Sequence, residues 1–240
     1  MIRSLALRAL AGAALVTAAA GAQAGTVVLS NYTYGNGNTV SVTSPSYTGG
    51  AGGFSGTLSG FGAGFDGAIT TYCVDLGEFF SFGTAYTDYT LVTAASNYTA
   101  ARFTALGKLI SYVYGNNLLG STAAGYKDDL STAVQLAIWN IVYDTDTTLE
   151  ASVGATFSDS SAYRTGSVNF MGANALLANS QVASQAVSYS LYVLKSVGSP
   201  GHQDQLIWKA TAVPEPASLA LAALALGAAG LAARRRKPAA

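Results

Sequence analysis

The sequence is poor in the residues from which most catalytic and metal centres are built. Among 240 residues there is one cysteine, Cys73, and one histidine, His202. A single cysteine excludes an intrachain disulfide. A metal cluster built from several Cys or His ligands is excluded with it. Charge is scarce as well: Asp, Glu, Lys and Arg make up 10% of the chain, against roughly 25% in ordinary soluble domains. The formal net charge of zero conceals an asymmetry. Arg3, Arg8, Arg234, Arg235, Arg236 and Lys237 sit at the two ends, against Glu215 alone. The interior therefore keeps six cations and eleven anions, a net of −5. Duplex binding needs clustered Lys and Arg against phosphate, so nucleic acid is not an expected partner. The glycines from Gly49 to Gly67 never open a helix and match no phosphate loop. Asp144, Asp146 and Glu150 form an acidic loop without the spacing or glycine of a calcium hand. No paired-carboxylate or triad signature is present, so neither an enzyme nor a cofactor is expected.

What is abundant is Gly, Ser, Thr, Asn and Tyr, the last at 14 residues. Neutral polar groups outside and aromatic or β-branched residues within sheets describe an exported, β-rich surface protein. Tyr and Asn also suit a carbohydrate surface, where they supply stacking and hydrogen bonds.

Both ends carry export signals. Arg3 and Arg8 form a basic n-region, Ala9 to Ala20 an apolar h-region, and Ala22-Gln23-Ala24 an A-x-A site. Residues 1–24 therefore read as a signal peptide removed by signal peptidase, with Gly25 opening the mature chain. At the other end stand Pro214-Glu215-Pro216, an uncharged run over 217–233 and the cations Arg234 to Lys237. Two prolines flanking one residue forbid continuation of helix or sheet, so the folded region ends near Ala212. The apolar run is at the short limit for a bilayer span, and the cations hold its end on the cytoplasmic side. Triplet, short apolar helix and Arg cluster together resemble the PEP-CTERM sorting signal, here over 213–240. The resemblance implies an exported protein of a Gram-negative bacterium that makes extracellular polysaccharide. It further implies transient anchoring in the inner membrane, processing by an exosortase, and delivery to the cell surface or beyond it.

Between the ends the pattern is β, then α, then β. Thr26 to Tyr34 and Thr39 to Thr43 read as strands joined in a hairpin by Asn36-Gly37-Asn38. Ser44 to Gly53 reads as a loop, and Phe54 to Gly64 as either a short strand and turn or a covering loop. Ala68 to Leu76, Phe79 to Phe82 and Tyr86 to Val92 continue the β-region. Phe103, Leu106, Ile110 and Val113 then fall at helical spacing over Thr99 to Tyr114, capped by Asn97 or Thr99. A second helix is expected over Thr132 to Tyr143, capped by Asp128, Asp129 or Ser131, with Val134, Ile138, Ile141 and Val142 as its core stripe. A third helix covers Val168 to Ala178, and strands follow at Ser188 to Val197 and Gln205 to Ala210. The fold class is α+β: a β-rich sheet or barrel-like domain over 25–212, with a helical insert at about 97–180.

Cys73 reads first as a buried thiol in a strand. Its neighbourhood Thr71-Tyr72-Cys73-Val74-Asp75, taken with Val134-Gln135-Leu136-Ala137-Ile138-Trp139, resembles the thioester domains of bacterial surface adhesins. There a Cys in an aromatic-flanked strand condenses with a Gln opening a T-Q-x-A-x-W helix segment, with loss of ammonia. The resemblance implies a Cys73 thiol and a Gln135 acyl donor, with Tyr72, Ala137 and Trp139 in support and an amine-bearing ligand as partner. Val134 stands where that family has Thr. Gln203-Asp204-Gln205-Leu206 loosely matches a third, Gln-containing strand of the family. Without the bond, Cys73 is a packed thiol and Gln135 hydrogen-bonds nearby backbone. His202, in a Gly-Pro-Gly-His turn, is expected to face solvent, and Trp139 and Trp208 to lie in the core. The expected function is adhesive or structural at the cell surface or in the extracellular matrix, the alternative a non-covalent carbohydrate-binding module.

Overall fold

The computed structural model describes residues 24–43, 45–144, 168–182 and 184–211. The strands are β1 (Ala24–Tyr32), β2 (Asn38–Thr43), β3 (Ser46–Ala51), β4 (Phe54–Ser59), β5 (Gly67–Cys73) and β6 (Ala85–Thr93), then β7 (Tyr189–Ser196) and β8 (Gln205–Ala210). Between β6 and β7 lie the helices α1 (Ala94–Asn97), α2 (Ala100–Gly115), α3 (Leu118–Ser121), α4 (Lys127–Tyr143) and α5 (Val168–Ser180). This is the α+β layout with a helical insert that the patterning predicts. Six strands close an antiparallel barrel in the order β1-β4-β5-β8-β7-β6. Closure leaves this sheet without an exposed edge. Alternation does the rest: Val27 and Leu29 of β1 and Leu191 and Val193 of β7 are buried, while the residues between them are partly exposed.

The insert packs against β5, β6 and β7 of this barrel, and α4 is its most deeply buried helix. Every residue from Ser131 to Ile141 is buried. A helix buried on all sides needs neighbours on all sides, and α4 meets α2, α5, the β2–β3 hairpin and β5. The expected stripe of Val134, Ile138 and Ile141 is buried, but Val142 is only half-buried. Thr99 caps α2 as predicted, its hydroxyl accepting the Arg102 N–H at 3.4 Å. The start of α4 departs from expectation. The helix begins at Lys127, so Asp128 and Asp129 sit inside its first turn rather than at the cap. There they still favour the positive end of the dipole. Ser131 lies deeper still, and its hydroxyl accepts the Gly53 N–H at 2.8 Å.

Three further strand readings are corrected. β1 does not form a hairpin with β2; it pairs with β4 and β6 and closes the barrel. Residues 44–53, read as a loop, contain β3, which pairs with β2 along its whole length. Glycine is tolerated there because a side chain would not fit: a Cβ at Gly50 would collide with the Tyr32 hydroxyl. Residues Phe79 to Phe82 join no strand. Phe80 and Phe82 instead turn onto Phe54, with ring centroids 4.9 and 5.9 Å away. The expected signal peptide short of Ala24, the acidic positions Asp146 and Glu150, and the whole segment 212–240 lie outside the described residues. Among the described residues no helix is long and apolar enough to cross a membrane.

Candidate functional site

Strand β5 ends where the helical insert meets the barrel. Its pairing with β4 stops at Phe54↔Thr71. Its pairing with β8 runs two residues further, to Cys73↔Gln205. The backbone of Cys73 therefore lacks a strand on the β4 side, and α4 fills the place with one side chain. The Cys73 N–H donates to Gln135 Oε1 at 3.1 Å, and Gln135 Nε2 donates to the Cys73 carbonyl at 2.7 Å. The carboxamide thus acts as one rung of a β-ladder, satisfying two backbone groups that would otherwise be buried and unpaired. Cys73 is 1% exposed and Gln135 fully buried. The structure brings together the two residues that the sequence pairs, and holds the acyl carbon beside the residue that carries the thiol. In the uncondensed chain the same two bonds keep the amide satisfied.

The thiol donates to the Asp75 carbonyl at 2.6 Å. Burial pushes its pKa well up, and the nearby Asp75 carboxylate adds to the rise; the Trp139 side chain works the other way. The supporting residues are placed as follows. Trp139, one turn beyond Gln135, is buried, with the Tyr47 ring edge-on at 5.3 Å. Ala137 is wholly buried. Tyr72 stacks on Trp208 at 5.9 Å, and its hydroxyl meets Ser131 and Tyr114. Burial pushes the Tyr72 phenol up to about 12. Trp208 is only half-buried, so it is not the core residue expected.

A cleft of about 140 Å³ is lined by Tyr32, Tyr47, Phe54, Phe79, Phe82 and Gln203. Tyr47, which bridges it to Trp139, is stacked 6.4 Å from Phe79, itself 67% exposed. Gln203 donates to the Asp75 carbonyl at 3.0 Å, the acceptor that also receives the hydrogen bond of the Cys73 thiol. Gln205 accepts from Thr71 Oγ1 at 3.3 Å and donates to the Gln203 carbonyl at 3.2 Å. The loosely matched Gln segment therefore braces the Cys73 loop from β8.

Sequence reasoning missed one cluster. Carboxylate oxygens of Asp75, Glu78 and Asp204 lie within 4.8 Å of one another. Asp75 is fixed by backbone donors, Oδ1 accepting from Gly77 and Glu78 and Oδ2 from Asp204. Asp204 lies far along the chain on the lead-in to β8, and no local signal joins it to Asp75. Burial raises the Asp204 carboxyl from 3.8 to about 6, against the Ser196 N–H and Lys195, which lower it. A carboxyl raised by the fold favours the fold while protonated. That stabilisation is present below about pH 4 and lost as pH rises through about 6. Asp204→Asn keeps an acceptor for the Ser196 N–H and removes the charge. It is expected to stabilise the domain at neutral pH by about 1 kcal/mol, after allowance for solvent screening. At acid pH it should do little. Thermal melts at both pH values check this, and equal shifts at both would contradict it.

His202, expected to face solvent, is half-buried. Its ring lies 4.2 Å from that of Tyr86, and Nε2 stands 4.0 Å from Asp88 Oδ1. Asp144, the described member of the acidic loop, accepts from Asn140 at 3.1 Å.

No curated protein and no solved structure matches the chain. Two family models do: the PEP-CTERM protein-sorting motif over residues 212–237 and, over residues 70–174 with Cys73, Gln135, Ala137 and Trp139 among them, the thioester domain.

Proposed function

We propose that this protein acts as a surface adhesin or matrix component whose Cys73 and Gln135 condense to an internal thioester. The sorting motif indicates export and delivery to the cell surface, and implies processing by an exosortase. The observation that carries the chemistry is the double hydrogen bond between the Gln135 carboxamide and the Cys73 backbone, with both residues buried. In condensation the Cys73 sulfur adds to Gln135 Cδ. The Sγ–Cδ bond forms, and Nε2 leaves as ammonia, taking the thiol proton with it. A primary amine on a partner then attacks Cδ, the Sγ–Cδ bond breaks, and the thiol regains the amine's proton as an amide links Gln135 to the partner. The bond is spent in one event, so this is attachment rather than turnover. Water exclusion by the buried site protects the bond until an amine is delivered. The aromatic cleft at Tyr47 and Phe79 is the route by which the amine would arrive. Sorting would proceed through transient anchoring by the apolar run and cleavage near Pro214–Pro216, with an extracellular polysaccharide or an amine-bearing surface as the eventual neighbour.

The intact mass of the mature domain tests this directly. It should fall short of the sequence mass by one ammonia, with no titratable thiol, and Cys73→Ala should show its full expected mass. A full mass with a free thiol in the unsubstituted domain would sink the proposal. A second reading draws on a cleft of about 340 Å³ outside this site, lined by Phe65, Asp66, Tyr114, Trp208 and Lys209 among others. Its aromatic walls and two opposite charges suit a sugar ring held without a covalent bond. Silence on an array of bacterial polysaccharides would count against it.

A further inference from the structure

Three buried side-chain polar atoms lack a hydrogen-bond partner among the described residues: Thr33 Oγ1, Asp128 Oδ1 and Trp139 Nε1. The last is an indole N–H, a group that can only donate. It belongs to a residue 1% exposed, where leaving a donor unmet incurs its whole desolvation penalty. Trp139 follows Gln135 by four residues on α4, so the two side chains share one helix face a turn apart. We infer that the Trp139 indole N–H is kept free in order to donate to the Cys73 sulfur when that sulfur carries charge. This rests on the thioester reading and assigns a part within it.

The reaction generates negative charge at two atoms, Gln135 Oε1 and the Cys73 sulfur, and the first already has a backbone donor at hydrogen-bond distance. When an amine attacks Cδ, the carbonyl electron pair moves to Oε1, which already accepts the Cys73 N–H at 3.1 Å. Collapse of that intermediate breaks Sγ–Cδ and leaves the electron pair on sulfur, which then takes the proton released by the amine. At the sulfur the Trp139 side chain favours the charged form, and the Asp75 backbone does so to a smaller extent. The sulfur's neighbour at 2.6 Å is the Asp75 carbonyl, which can only accept. The ionisable groups that face it are the Asp75 and Asp204 carboxylates and the phenols of Tyr32, Tyr47, Tyr98 and Tyr143, with no cation among them. The indole N–H is the side-chain donor that favours the thiolate. By microscopic reversibility it serves condensation too, holding the attacking sulfur in its nucleophilic form. Trp139 is thus a catalytic residue of the bond, in addition to a packed ring.

Trp139→Phe keeps an aromatic ring and deletes the N–H. In the mature domain, thiol release on adding methylamine is expected to slow on the order of tenfold, the scale of one hydrogen bond to a charged group. After opening, the pH midpoint of thiolate ultraviolet absorbance should rise by about one unit. A ring that only packs would shift the melting temperature and leave that midpoint in place. If Trp139→Phe does not fold, the native chain gives the same answer. It has two tryptophans, so Trp208→Phe assigns the indole N–H resonances. The Trp139 signal should move as Cys73 titrates and stay fixed in Cys73→Ala. An unchanged methylamine rate and thiolate midpoint, or a stationary indole resonance, would overturn the inference. Absence of the ammonia deficit would overturn the thioester instead, and the thiolate titration would still judge Trp139.

Discussion

Opening the proposed thioester with methylamine is expected to lower the melting temperature of the mature domain by about 10 °C. The proposed bond would join Cys73 and Gln135, 62 apart in sequence. A cross-link closing a loop of that length restricts the unfolded chain by about 4 kcal/mol in the chain-entropy account. In a domain of this size each kcal/mol is worth about 2–4 °C. The link also ties the end of β5 to the middle of α4, so its loss frees the barrel and the insert to open separately. One effect opposes it. Condensation removes Nε2 and with it the donor to the Cys73 carbonyl, and the methylamide formed on opening restores an N–H there. The figure is therefore an upper one. Melts before and after methylamine, followed by mass, measure the change. Cys73→Ala should melt near the opened chain and ignore the amine. A gain of methylamine mass with no fall in melting temperature would show that the cross-link adds no net stability to the domain.

The parts of the fold legible in the sequence were those in which local pattern and tertiary need agree. Phe103, Leu106, Ile110 and Val113 announce α2, and Ser188 to Val197 alternates as β7 does, because each element buries one regular face. The parts that were not legible depend on distant partners. β1 looks like half of a local hairpin, since Asn36-Gly37-Asn38 is good turn chemistry. Barrel closure against β6 instead claims its edge. β3 reads as a loop because Gly49 and Gly50 weaken strand propensity. It forms because Val40 and Val42 of β2 are buried and Tyr47 packs on Trp139. The site divides in the same way. A family resemblance carried by their flanking residues pairs Cys73 with Gln135. Composition alone reads Cys73 as a packed thiol. Gln203 and Asp204 stand in a segment that loosely matches the family, but nothing local says that they meet Asp75.

Replacing Gln135 is expected to damage the fold far more than replacing Cys73. Gln135→Leu fills a similar volume but leaves the Cys73 N–H and C=O without their partner, buried at the junction of β5 and α4. Each unmet buried group costs about 1–3 kcal/mol, so the pair should cost about 3 kcal/mol or more. Cys73→Ala removes a small buried side chain and keeps both backbone bonds, at about 1 kcal/mol relative to the opened chain. Both substitutions abolish the thioester, so the difference between them isolates the carboxamide rung. Gln135→Glu distinguishes hydrogen bonding from shape. A protonated Glu accepts the Cys73 N–H and donates to its carbonyl, whereas the ionised form loses the donor and carries an unpaired buried charge. Its carboxyl pKa should be raised in the fold, so its stability should be present at acid pH and lost as pH rises through that value. Urea denaturation near pH 5 and near pH 8 reads all three variants. The order expected at the higher pH is Cys73→Ala most stable, with Gln135→Leu and Gln135→Glu well below it. Acid should restore Gln135→Glu alone. Equal midpoints for Gln135→Leu and Cys73→Ala would mean that α4 is held on β5 by the apolar contacts of Leu136, Ile138 and Trp139, and that Gln135 is present only for its acyl group.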